Sequence, residues 1–300
     1  QSRSSAASDV YKRQFIYGTN ATDVTNSTLG SLAGTSVSVS EGGTTVAAYS
    51  KGVTGLCPGV TYYVKAYASN STGTGYGSNN TAIMTTPGTY TTVQDGAFSN
   101  AATWGGCGPP DLTIGNTINI GHTVTSSGMT ITEGTDVTVT SGGVLTNTGN
   151  ITLGGTSNPT FTVDAGGTAT TTNVTYTSIG TLTSNGTFTV TNDLSLTSGG
   201  IAIFSGTTVI NGNASNGGPG NFTVAGGTFH VDGNITTLND GRFAANGDVT
   251  IDGNWSVGGS GGATVGGTVT TTGQMTVTSN GYITGTGVIG YGTKNINPDN

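Results

Sequence analysis

Apolar and polar residues alternate in short runs along most of this chain, and the runs recur at a fixed interval. Seven turn motifs set the beat: Thr148-Gly149-Asn150, Thr171-Thr172-Asn173, Thr191-Asn192-Asp193, Asn211-Gly212-Asn213, Asp232-Gly233-Asn234, Asp252-Gly253-Asn254 and Thr272-Gly273-Gln274, each leading into an alternating run. Their third residues step by 23, 20, 20, 21, 20 and 20 positions, an internal repeat that governs every local reading. Each period also holds two further alternating runs set off by glycine, such as Arg242–Ala245 and Asp248–Ile251. Three short strands per period of about 20 residues predict one coil of a parallel β-solenoid. A β-propeller also repeats, but its blades need about 40 residues.

A strand sends alternate side chains to opposite faces, so Ile151/Leu153, Leu194/Leu196, Phe222/Val224, Val249/Ile251, Trp255/Val257 and Met275/Val277 are expected inside, with the intervening Thr and Ser outside. Gly-Gly, Asn-Gly and Asp-Gly pairs at the corners are expected to supply positive φ for sharp bends. A single coil cannot bury its apolar residues. Coils stacked about 4.8 Å apart pair every backbone group and align like side chains. Each large apolar residue then contributes roughly 1.5–3 kcal/mol against the ordering entropy.

Composition narrows the function classes. The chain has 300 residues, 54 of them Gly, with 7% charged residues and a formal net charge of −7. Of its seven Lys and Arg, Arg3, Lys12 and Arg13 lie within the first 14 residues, which excludes electrostatic phosphate binding and hence a nucleic-acid partner. No apolar run approaches the roughly 18 residues that a membrane-spanning helix requires, and helix signals are nearly absent. Residues 1–14 do not match the rest of the chain and resemble the translated adapter sequence found in metagenomic assemblies. They are set aside as a non-native or disordered leader. The final stretch, residues 291–300, reads as a truncated tail, so the chain is expected to be a fragment of a longer protein.

Residues 15–87 differ in style from the repeat. Phe15-Ile16-Tyr17-Gly18, Thr44–Tyr49, Gly55–Asn70 and Thr81–Thr86 read as strand-bearing segments. Leu56, Pro58 and Tyr62 have the Leu-x-Pro-x-x-x-Tyr spacing of a tyrosine corner, in which a phenol closes onto nearby backbone. On these residues the segment resembles the second half of a fibronectin type III domain. Residues 88–111, with Trp104-Gly105-Gly106-Cys107-Gly108-Pro109-Pro110, and the strand beyond them, Ile118-Asn119-Ile120-Gly121-His122-Thr123-Val124, resemble the entry to the β-solenoid regions of secreted bacterial proteins. Residues 88–111 are read as a linker and cap, with Trp104 covering the first coil. The expected architecture is therefore all-β: a partial fibronectin type III-like β-sandwich at 15–87, the cap at 88–111, and a solenoid over 112–290. Right-handed coils are implied by the resemblance and by the general preference for right-handed crossovers.

Candidate chemistry is sparse. Cys57 and Cys107 are few for a disulfide framework. An even count suits an exported protein, and the pair could bond to each other or Cys107 to a cysteine beyond Asn300. Asp232 and Asp252 occupy one repeat position and are weak Ca²⁺ candidates on adjacent rungs, within an acidic group that includes Asp240 and Asp248. The same residue types are also ordinary turn formers. Asn150, Asn173, Asp193, Asn213, Asn234, Asn254 and Gln274 are read as structural anchors of the turns, which accounts for the Asn-x-Ser/Thr triplets without glycosylation. Thr270-Thr271-Thr272 beside Thr250 could form a flat hydroxyl surface of the ice-binding kind. With two Glu in the chain, Glu41 and Glu133, and a single basic residue, Arg242, between Lys65 and Lys294, no enzyme activity and no cofactor are expected. The resemblance implies an extracellular, cell-surface, adhesin-like structural protein whose partners are glycans, other surface components or copies of itself. A self-assembling filament subunit is the alternative, and a carbohydrate-active β-helix enzyme or an ice-binding protein stands behind it.

Overall fold

The computed structural model describes residues 12–41, 49–77 and 80–296, and the chain divides into two compact units, Gln1–Thr86 and Pro87–Asn300. In the first, Lys12–Gly18 lies between Val37–Ser40 and Thr61–Ser69 and is antiparallel to both. Thr61–Ser69 also pairs with Thr74–Tyr76 and Thr81–Met84. Phe15–Gly18 is thus a middle strand, but the strand starts at Lys12. Lys12, Arg13 and Gln14, expected to belong to the leader, pair with Ser69, Ala68 and Tyr67. Arg13 is held by Glu41 at 2.7 Å, and its guanidinium lies 5.0 Å from the centre of the Tyr49 ring. The residues expected to form a strand at Thr44–Tyr49 fall, except for Tyr49, outside the described residues.

A helix at Ala21–Asn26 was not expected from periodicity, because six residues are too few to show one. Its start is nonetheless encoded locally: the Asn20 side chain accepts from the N–H groups of Thr22 and Asp23, and Asp23 stands in the first turn. Val24 on this helix joins Ile16 and Tyr67 in a small core.

The second unit is a parallel β-solenoid with three columns of strands. The first column stacks ten strands, from Thr89–Thr91 through Thr117–Ile120 to Tyr282–Gly285. The other two columns interleave in a 17-stranded sheet. Registers are in phase with the sequence repeat: Asn150 faces Asn173, Leu194 faces Ala214, and Phe222 faces Phe243. The ladder reaches back into the segment expected to be a linker and cap, since Thr89–Thr91 and Gly96–Ala97 pair in parallel with Thr117–Ile120 and Thr123–Ser126.

Strand parity sorts the side chains as expected. Ile151, Leu153, Leu194, Leu196, Phe222, Val224, Val249, Ile251, Trp255, Val257 and Met275 are all buried. Val277, on the last full coil, is only half-buried. Thr271 also departs from expectation: the parity that puts Thr270 and Thr272 outside turns Thr271 inward, where its hydroxyl donates to Gly253 O at 2.7 Å. The hydroxyl row beside Thr250 is therefore interrupted.

Rings dominate the middle of the core. Phe222 lies 5.2 Å from Phe204, 5.2 Å from Phe229 and 5.4 Å from Phe243, and Phe243 meets Trp255 at 5.9 Å. Tyr176 is fully buried and donates to Ile201 O at 2.9 Å, and burial pushes its phenol well above the ordinary tyrosine pKa.

The corner glycines work differently from the expectation. Gly142 and Gly166 do have positive φ, at 82° and 84°. Gly206, Gly247, Gly253 and Gly267 are not among the positive-φ glycines. A Cβ on Gly206 would instead stand 2.1 Å from Gly186 O on the neighbouring coil. Close approach of stacked backbones, not left-handed geometry, requires glycine there.

Candidate functional site

The anchor residues form a side-chain ladder along one edge of the solenoid. Asn173 donates to Asn150 Oδ1 at 2.8 Å, and the backbone N–H groups of Asp193, Asn213, Asn234, Asn254 and Gln274 donate to the side-chain oxygen of the anchor one coil earlier, at 2.7–3.1 Å. Asn213 and Asn234 add side-chain donors to the same acceptors. Each short polar side chain therefore satisfies a backbone donor just outside the strand ladder, where an unpaired N–H would weaken the stack. Gln274 takes the last position as a donor through its backbone, so its longer side chain does not disturb the pattern.

Two residues before two of these anchors stand Asp232 and Asp252, both exposed on the outer face. The structure places His230 with them. His230 Nε2 is 2.8 Å from Asp232 Oδ1 and 3.5 Å from Asp252 Oδ2, and one ligand atom from each of the three residues lies within 4.8 Å of the others. The backbone explains this meeting. His230 ends the outward row of Thr228–Val231, and Asp232 lies two residues on, so both project to the same side. Phe229 faces Val249 and Val231 faces Ile251, which brings Asp252 beside Asp232 one coil up. The repeat alone revealed the aspartates, whereas His230 was legible only through its i, i+2 relation to Asp232. Asp248 lies at the opposite end of its strand, facing Thr228, and Asp240 sits in a turn with φ 68°, so neither joins the cluster.

The other singled-out residues have structural surroundings. Tyr62 accepts the N–H of Cys57 at 3.0 Å, the backbone closure expected of a tyrosine corner. Trp104 ends a 3₁₀ turn at Ala101–Trp104, donates from Nε1 to Phe98 O at 2.7 Å, and meets Tyr90 and Phe98 edge-on at 6.2 and 5.1 Å. It belongs to the solenoid core at the first rungs. Neither cysteine is a free thiol. A cleft of about 360 Å³ in the first unit is lined mainly by apolar side chains, among them Phe15, Tyr17, Val53, Leu56 and Ile83. A groove of about 400 Å³ beside the first coils is lined by Ala97, Phe98, Thr125, Ser126 and their neighbours, none of them ionisable.

The chain is a β-solenoid repeat protein. No family model matches it, and neither the curated proteins nor the solved structures yield a match. Geometry and chemistry alone therefore carry the functional reading. No helix among the described residues is long and apolar enough to cross a membrane.

Proposed function

We propose that the chain is an extracellular, non-catalytic structural and adhesive element, a stiff solenoid that presents repetitive faces to glycans or other surface components. The observation that carries this reading is the unbroken in-register ladder. Ten stacked strands in one column, at about 4.8 Å per step, make a continuous column roughly 45 Å long in which each coil contacts only its neighbours. Such a stack resists bending because every interior rung is hydrogen-bonded on both sides. Its outward rows consist largely of Thr, Ser and Asn, which offer many identical weak hydrogen-bonding groups, and multivalency converts those into useful affinity for a repeating polymer. Low charge and the absence of free thiols suit an oxidising compartment.

The test is retention of the intact chain on a panel of immobilised polysaccharides, with reducing ends assayed in the same samples. Retention on at least one polymer without new reducing ends is expected. Release of new reducing ends would make the protein a carbohydrate-active enzyme.

A filament subunit is the second reading, because the terminal strands of a parallel stack can template further pairing with another copy. Long threads in negative stain, with light scattering that grows with concentration, would establish it. Particles of single-chain mass would favour the stalk.

A further inference from the structure

We propose that His230, Asp232 and Asp252 form a binding site for a divalent cation of the zinc class on the outer face of the solenoid. Calcium, the expectation from the aspartates alone, prefers six to eight oxygen ligands. The imidazole changes the preference. A nitrogen donor with two carboxylates suits Zn²⁺, Co²⁺ or Ni²⁺, and the two aspartates balance the charge of the ion.

The distances fit this set. An ion held at about 2.0–2.1 Å from tetrahedral ligands places those ligands about 3.3 Å apart. The two nitrogen–oxygen separations, 2.8 and 3.5 Å, bracket that value, and the two carboxylates lie within 4.8 Å of each other, so closing on an ion asks side-chain rotation of the exposed aspartates and no backbone movement. The scaffold is also rigid where it matters. Asp232 and Asp252 are fixed to adjacent rungs by the Asn213–Asn234–Asn254 ladder, and Val231 and Ile251, buried beside them, lock the strands that carry them. Binding replaces the Nε2 proton by the ion, so the ring acts as a neutral ligand with its remaining proton on Nδ1. Three protein ligands on a half-exposed face leave the fourth position to water.

Only two histidines are present, and His122 is engaged through Nδ1 with Thr92 Oγ1 at 3.0 Å on another coil, so assignment is direct. The experiment uses the full chain without a histidine tag. Co²⁺ is titrated while visible absorption is followed, and Zn²⁺ and Ca²⁺ are then tested as competitors. The expected result is one Co²⁺ per chain with d–d bands, displacement by Zn²⁺ and not by Ca²⁺, and affinity reduced at least about tenfold in both His230→Gln and Asp252→Asn. Circular dichroism of both variants should be unchanged, because the three side chains lie outside the core. Failure of the wild-type chain to bind, binding undiminished in His230→Gln, or displacement by Ca²⁺ as effective as by Zn²⁺ would each overturn the proposal.

Discussion

Phe222→Ala should lower the stability of the solenoid by about 3–5 kcal/mol, among the largest single-site effects in the chain. Phe222 is 3% exposed and touches Phe204 on the coil below, Phe243 on the coil above, and Phe229 across the interior, the last with ring planes at 86°. Removing the ring forfeits its transfer free energy and leaves a void that the neighbours cannot fill, because their backbones are pinned by parallel ladders on both sides. Each aromatic contact adds roughly 0.5–1.5 kcal/mol beyond the buried area. In a stack where coils interact only with neighbours the damage is local, so thermal unfolding should lose cooperativity as well as shift downward. Calorimetry of the variant beside the wild type reads both effects. A shift no larger than that of an exposed Thr→Ala change would contradict the described packing.

Gly206→Ala should destabilise by about 1–3 kcal/mol or more, although alanine ordinarily favours ordered backbone over glycine. The added methyl would meet Gly186 O at 2.1 Å and the backbone of Asn185 at 2.6 Å. Neither can yield without opening the rung beneath. Gly217→Ala is the internal control: a Cβ there has nothing within 4 Å, and φ at Gly217 is not positive. That change should be neutral or stabilise by up to about 1 kcal/mol through the unfolded chain. Chemical denaturation of the two variants measures the contrast. Equal behaviour would mean that the coils are not spaced as described at this corner.

Much of the solenoid was legible because its period coincides with its physics. Strand parity fixes which residues point inward, and the 20-residue beat fixes which residues stack, so Phe243 over Phe222 and Asn234 beside Asn213 can be had by counting. The features that escaped counting depend on atoms the pattern does not encode. Asn147 and Asn216 are polar residues that the apolar/polar pattern does not place in the core, yet both are 2% exposed. Their side-chain amides donate to carbonyls such as Gly149 O and Gly220 O, tying corners from the inside. Trp255 satisfies the apolar pattern although, among the described residues, no partner meets its buried Nε1. The repeat glycines were recognised, but their cause was not, since the approach of a neighbouring carbonyl is invisible in one dimension. The same limit applies to the candidate site. Its two aspartates share a repeat position, whereas His230 does not recur in other coils, where its register partners are Val209 and Thr250.

If the repeat is a stack of equivalent coils, a pair of deletions should behave in opposite ways when thermal unfolding is followed by far-ultraviolet circular dichroism. Removing residues 214–234 joins Asn213 to Ile235 and takes out one whole coil in phase, so the column order and the anchor ladder are preserved. Removing residues 214–224 takes out Ala214–Asn216 and Asn221–Val224, which puts the strands beyond them into the wrong columns. The whole-coil deletion should retain a β spectrum and a cooperative melt only modestly below that of the parent, whereas the shorter deletion should lose the transition or aggregate. If the shorter deletion were tolerated as well as the longer one, the chain would not be a phased stack of coils.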